Sequence, residues 1–209
     1  MLDSKPMWVR GAAIRPVPPY AVVDREVLER IEQELADNGL LPRSDLDDAF
    51  SRFEQTQPVL AQQAAQILSR PLDDTALALG YFLTIAVWLA FERAFGARLA
   101  EVDEQAHEAA QSALSLEEEL RASHADEPLE LEDVMAIEQP GILAFVNEHL
   151  EAALEPADAR GDPPGEGHEA RDVDVDDVHV VYRNVLVMTL ALSHAVSPST
   201  GARPREMLA

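Results

Sequence analysis

The sequence predicts an all-α fold, a helical bundle built from two pseudo-repeated three-helix units with central apolar helices. Apolar residues recur at helical spacing between cap and stop residues along most of the chain. No run of alternating residues bounded by turn signals predicts a strand, although alternating valines in 173–181 favour a short one. A faint internal duplication is the third observation.

The duplication has three recurring features. Gln57-Pro58 and Gln139-Pro140 each open a helical segment, 82 residues apart. Asp73-Asp74 and Asp176-Asp177 each precede a long apolar run, 103 residues apart. Each run contains a tyrosine, Tyr81 or Tyr182. One insertion of 21 residues in the second copy, at about 156–175, explains the difference in spacing. The units are then about 44–95 and 129–196.

The first half contains four predicted helices. Asp24 caps an amphipathic helix that Gly39 stops, and Ser44 caps a second helix whose stripe includes Phe50 and Phe53. Pro58 suits the first turn of a third helix, which Pro71 ends. Asp73 or Asp74 caps a long helix to about Phe95. That helix is apolar on nearly all sides, which places it in the middle of the fold.

The second half follows the same plan. A connecting helix has Leu99, Val102, Ala106, Ala110 and Ala113 on one face. An amphipathic helix with Leu129, Leu131, Val134 and Ile137 then ends near Gln139, and Pro140 starts the next. Asp176 or Asp177 caps a last apolar helix, Val178 to Val196. We expect 1–23 to be an extended arm on the surface of one domain, 24–196, with a disordered tail at 197–209.

Composition narrows the classes of function. The formal net charge of −23 repels nucleic acid and anionic membranes, and it favours a basic protein partner. The absence of cysteine excludes disulfides and thiolate metal sites, and the first residues lack a signal-peptide core, so we expect a cytoplasmic protein. The uncharged run 75–91 lies at the lower length limit for a membrane span, and we interpret it as a core helix.

Two groups of residues are candidate metal ligands. Glu104 and His107 have the one-turn spacing used in carboxylate-bridged di-iron bundles, but only one such pair is present. The helical wheel also directs Glu104 outward. Asp172, Asp174 and Asp176 resemble the first half of a calcium loop, which lacks the required Gly and Glu. A favourable interaction with a helix N-terminus is the simpler explanation for these aspartates.

The sequence contains no catalytic or phosphate-binding motif that would indicate a reaction type. No phosphate-binding loop, nucleophile elbow or His-Glu-x-x-His motif is present. Arg183 lies within an apolar stretch and needs an acidic partner, for which Glu92 is the predicted residue.

We therefore expect a non-catalytic interaction or scaffold protein without a cofactor. It would act through its acidic surface on a basic partner, or through a homodimer face. From Glu101 to Glu138 the chain has 13 acidic residues and one arginine, for a net charge of −12. A metal-binding helical-bundle enzyme or sensor and an acidic DNA-mimic inhibitor are the alternatives.

Overall fold

A computed structural model describes residues 14–37, 43–123, 138–154 and 174–199. The all-α prediction is confirmed over these residues, which contain seven α-helices and no strand. The helices are α1 (Arg25–Asp37), α2 (Arg43–Thr56), α3 (Pro58–Leu68), α4 (Asp74–Phe95), α5 (Glu104–Ser123), α6 (Pro140–Leu154) and α7 (Val175–Ala195). Short 3-10 turns occupy Pro19–Ala21 and Gly96–Arg98.

Helices α4 and α7 pack against each other in the centre of the fold. Helices α1, α2, α3 and α6 cover α4, while α3, α5 and α6 cover α7. Every residue of α4 from Leu83 to Phe91 is buried, because this segment is apolar on all sides. Gly80 permits the close approach, since a Cβ atom there would lie 3.2 Å from Val181 Cγ2 and 2.5 Å from Leu68 Cδ2.

The segment Asp74–Arg98 is long and apolar enough to cross a membrane by length and composition alone. In this fold, however, 67% of its most apolar stretch is buried against the rest of the chain. The burial supports the interpretation of this segment as the core helix of the domain.

The helix boundaries follow the local signals, with one correction. Asp73 is the N-cap of α4, and its side chain accepts hydrogen bonds from the amides of Thr75 and Ala76. Gly96 ends this helix with a φ of 51°, in the left-handed region. For α7 the N-cap is Asp174, so the prediction of Asp176 or Asp177 was wrong by about one turn. The alternating valines therefore belong largely to a helix.

The ends of the two central helices are joined by backbone hydrogen bonds. Leu99 and Val196 form an isolated antiparallel bridge. The Ala100 amide donates to the Ala195 carbonyl over 3.0 Å, and the Ser197 amide donates to the Arg98 carbonyl over 2.8 Å. This bridge holds together the segments that follow the C-terminal ends of α4 and α7.

Residues 14–23, here called the N-terminal strap, belong to the predicted surface arm, but their apolar side chains enter the core. Ile14, Val17, Ala21 and Val23 are all buried. The described residues leave out most of the predicted helix that ends near Gln139, most of the insertion at 156–175, and the tail from Thr200 onward. They also leave out 1–13. The domain limits for those segments stay predictions.

Candidate functional site

The pair Glu104 and His107 does not converge on one site. Glu104 begins α5 and is exposed, whereas the His107 side chain is buried at 7% exposure. Burial lowers the pKa of His107, and the neighbouring Glu108 carboxylate acts weakly in the opposite direction. No group of three or more His, Asp or Glu side chains with metal-binding geometry occurs within the described ranges.

The inward face of α5 also differs from the predicted one. His107, Ala110, Leu114 and Glu117 are buried, whereas Ala106 is exposed. The helix begins only at Glu104. Leu99 and Val102 therefore precede the helix and cannot be used to predict which of its sides faces the core. The periodicity was taken from apolar residues alone, and two polar residues that occupy the core face were missed.

The aspartates near α7 are bound to backbone amides. Asp174 Oδ1 accepts from the Asp176 amide over 2.9 Å, and Asp73 Oδ2 accepts from the Asp174 amide over 3.2 Å. Asp177 Oδ2 accepts in turn from the Asp73 amide over 2.8 Å. The start of α4 and the start of α7 are thus held together by carboxylate–amide hydrogen bonds, which suit the positive ends of helix dipoles. Asp172 lies outside the described residues.

Arg183 is paired with α5 and not with Glu92. Its Nε donates to Glu118 Oε1 over 3.1 Å, and its Nη2 donates to Ser115 Oγ over 2.7 Å. Glu92 is instead the partner of Arg52 at 3.1 Å. The prediction for Arg183 was wrong because its partner lies on a helix whose inward face the periodicity placed incorrectly.

Two buried glutamines bind extended backbone in the same way. Gln57 Nε2 donates to the Ala100 carbonyl over 3.0 Å, and its Oε1 accepts from the Val102 amide over 2.9 Å. Gln139 Nε2 donates to the Ala21 carbonyl over 2.8 Å, and its Oε1 accepts from the Val23 amide over 3.0 Å. We call these contacts the glutamine clamps. Each satisfies the backbone groups of a segment that lies just before a helix, α5 or α1.

The second clamp extends into α7. Gln139 Nε2 also donates to Ser193 Oγ over 2.8 Å, and Ser193 Oγ donates to the Thr189 carbonyl over 2.6 Å. Gln139, Thr189 and Ser193 are fully buried. Because the described partners satisfy these groups, their role is to hold the fold together.

The outward side of α5 carries exposed carboxylates. Glu104, Glu108 and Glu119 are exposed and have no ion-pair partner among the described residues. At 100° per residue, Glu108, Glu119 and the 49% exposed Leu116 all lie near the direction opposite the buried face. Residues 99–120 contain no lysine or arginine. These four residues, Glu104, Glu108, Leu116 and Glu119, are the α5 acidic face.

Helix α1 carries similar glutamates, and two of them, Glu29 and Glu34, contact arginines. Glu32 lies beside His149, and Glu26 is exposed without an ion-pair partner among the described residues. Arg25 pairs with Glu29 and with Glu148 of α6, each at 3.0 Å. Arg93 of α4 pairs with Glu34 at 2.8 Å, and this contact lowers the pKa of Glu34. The two outer helices therefore differ in charge compensation.

No protein-family model matches the chain, and neither a curated protein nor a solved structure matches it at a significant level. Any function must therefore be argued from the geometry above.

Proposed function

We propose that this protein is a non-catalytic helical interaction protein of the cytoplasm, which binds a basic protein partner through the α5 acidic face. The observation that carries the proposal is the set of exposed carboxylates at Glu104, Glu108 and Glu119, which have no ion-pair partner within the described ranges and lie in a stretch, 99–120, without any basic residue. A complementary cation-rich surface would approach this face quickly and in a preferred orientation.

The charges of this face repel one another in the free protein. Glu104 and Glu108 are one turn apart on α5, and like charges at that spacing destabilise a helix by a few tenths of a kcal/mol. A lysine or arginine placed between them would relieve the repulsion. A partner with several such residues gains more from this face than from α1, where Glu29 and Glu34 already contact arginines.

Leu116 indicates a second property of the partner, an apolar side chain among its basic residues. It is 49% exposed within the acidic face, although single exposed apolar residues are common on protein surfaces. A basic amphipathic helix would bring cations to the glutamates and an apolar side chain to Leu116.

We further propose that residues 21–95 and 100–196 are two copies of one unit, which extends the predicted three-helix units to include α1 and α5. Ala21-Val22-Val23-Asp24 and Ala100-Glu101-Val102-Asp103 share the pattern Ala-x-Val-Asp before their helices. Gln57 of the first copy clamps the second segment, and Gln139 of the second copy clamps the first. Such reciprocal contacts are expected of a pair related by an approximate two-fold axis.

The duplication supports the functional proposal. If α1 and α5 hold equivalent positions, the fold tolerates a helix at that position whose acidic residues are partly paired with arginines. Folding then does not require the negative charge of the α5 acidic face. We propose that this charge serves to bind a partner. A homodimer is a separate proposal, which sedimentation tests.

The test compares two triple variants with the same change in net charge. E104Q/E108Q/E119Q removes the acidic face, and D48N/E54Q/E151Q removes three other exposed carboxylates without ion-pair partners among the described residues. Binding of a fluorescein-labelled amphipathic 14-residue lysine–leucine peptide is measured by anisotropy at low and moderate salt. The salt series separates the charge contribution from apolar contact.

We expect the face variant to bind about tenfold more weakly, because about 0.5 kcal/mol is lost at each of three exposed charges. The control variant should bind within about twofold of the parent protein. Equal affinities of the two variants would refute the proposal, since binding would then follow net charge and not the face. Urea unfolding of both variants confirms that they are folded.

A further inference from the structure

The N-terminal strap is attached to the domain by few polar contacts. Besides the clamp of Gln139 on Ala21 and Val23, the Val17 amide donates to the Glu138 carboxylate. The strap forms no regular secondary structure except the single turn Pro19–Ala21. Its docking therefore depends on these side-chain contacts and on four buried apolar residues.

The strap also lies directly against the start of α6. A Cβ atom on Gly141 would come within 2.9 Å of the Val23 carbonyl oxygen and 3.1 Å of the Arg25 amide nitrogen. Backbone atoms cannot move aside as a flexible side chain can. The C-terminal end of the strap is thus tightly packed against the start of α6.

His194, near the end of α7, contacts the other end of the strap. Its ring faces Arg15 of the strap, and its Nδ1 atom is buried without a hydrogen-bond partner among the described residues. A proton added to Nδ1 would create a buried donor without an acceptor, close to the Arg15 guanidinium. Glu138, which precedes α6, is the carboxylate that faces the ring, and Arg98 contacts the nearby Ser197 carbonyl.

We propose that the N-terminal strap is a latch that opens on acidification, with His194 as the group that responds to protons. Protonation places a second positive charge beside Arg15 and leaves an unsatisfied donor at the buried Nδ1. Both effects are removed when Ile14–Val17 detach from the domain, because Arg15 moves away and water reaches Nδ1. Opening would expose the core positions that Ile14 and Val17 occupy and would free the Glu138 carboxylate from the Val17 amide.

The direction of the pH dependence follows from the surroundings of the ring. Burial lowers the pKa of His194, and the Arg15 guanidinium adds to this, against weaker opposing effects of the Arg15 backbone and Glu138. With the strap undocked, the ring loses the nearby Arg15 charge and becomes more exposed, so its pKa moves back toward the ordinary value of 6.5. The undocked state then binds the proton more readily, so docking is strongest above about pH 6.5 and weakens as the pH falls below it.

The cysteine-free chain permits a clean test by thiol labelling. Val17→Cys places a single thiol under the strap, and Ala110→Cys places one in the α5 core; both parent residues are 7% exposed. The labelling rate with 4,4′-dithiodipyridine, which reacts in mild acid, is measured from pH 7.5 to 5.5. The ratio of the two rates cancels the ionisation of the thiol and any global unfolding.

We expect the Val17→Cys to Ala110→Cys ratio to rise on acidification, by up to about tenfold for each pKa unit of lowering. His194→Gln should abolish the rise, and Arg15→Gln should reduce it, because the neighbouring cation is gone. His107→Gln, a buried histidine away from the strap, should leave the rise unchanged.

A ratio that stays constant with pH would overturn the latch, as would an undiminished rise in His194→Gln. Ile14→Cys serves as a second reporter if Val17→Cys itself releases the strap at pH 7.5. Because this experiment does not involve the α5 acidic face, its outcome is independent of the proposed binding function.

Discussion

The glutamine clamps provide the sharpest stability prediction. Gln57→Ala removes both hydrogen bonds to the segment before α5. The Val102 amide is left buried without a partner, and the Ala100 carbonyl reaches water because Ala100 is exposed. Gln139→Ala leaves more groups unsatisfied, since Ala21, Val23 and Ser193 are all at most 1% exposed.

A buried polar group that loses its hydrogen-bond partner costs about 1–3 kcal/mol. A group that loses its partner but can hydrogen-bond to water costs less. We therefore expect Gln57→Ala to lower the free energy of unfolding by about 2–3 kcal/mol. For Gln139→Ala we expect about 3–5 kcal/mol. A loss of about 2.5 kcal/mol corresponds to a fall in Tm of about 5–10 °C for a chain of this size.

The assay is urea unfolding followed by circular dichroism, with Gln62→Ala as the matched control. Gln62 lies on α3, close to Gln57 in sequence, but it is exposed, so its replacement should change stability by less than about 0.5 kcal/mol. The reasoning fails if Gln57→Ala is as stable as the control. It also fails if Gln139→Ala proves less destabilising than Gln57→Ala.

Three further predictions use the same measurement. Gly141→Ala should cost about 1–3 kcal/mol, because the new Cβ would press on the Val23 carbonyl; a neutral result would show that the strap is not closely seated. Arg183→Met should cost about 1 kcal/mol or less, since the Arg183–Glu118 pair is about one-third exposed, and a loss above about 3 kcal/mol would contradict this. Burial lowers the pKa of His107, so the wild-type stability should fall relative to His107→Gln as the pH drops from about 7 to 5; a constant difference would argue against that lowered pKa.

The helices could be predicted from sequence because their signals are local. Proline at the start of α3, the Asp73 cap and the glycine that ends α4 each act within one turn. The apolar circumference of the long helices also indicates their burial without reference to partners. These features explain why the all-α class was predicted correctly.

The polar contacts could not be predicted because they join residues far apart in the chain. Gln57 was noted only as the residue before a proline, although its side chain binds backbone 43 and 45 residues away. The repeated Ala-x-Val-Asp pattern was a usable signal, since its two copies lie 79 residues apart, close to the 82 of the Gln-Pro pairs. Arg183 and Glu118 carry no such signal, because any exposed glutamate on a neighbouring helix is an equally good partner on sequence grounds.

The central claim, that a basic partner binds the α5 acidic face, is tested most directly by a hydrogen-exchange footprint. Exchange of the protein is compared with and without the lysine–leucine peptide, and protection is followed over Glu104–Ser123 and over Arg25–Asp37. The proposal predicts more new protection in α5 than in α1, since Glu29 and Glu34 of α1 already contact arginines. Equal protection of both helices, or protection of α1 alone, would contradict it.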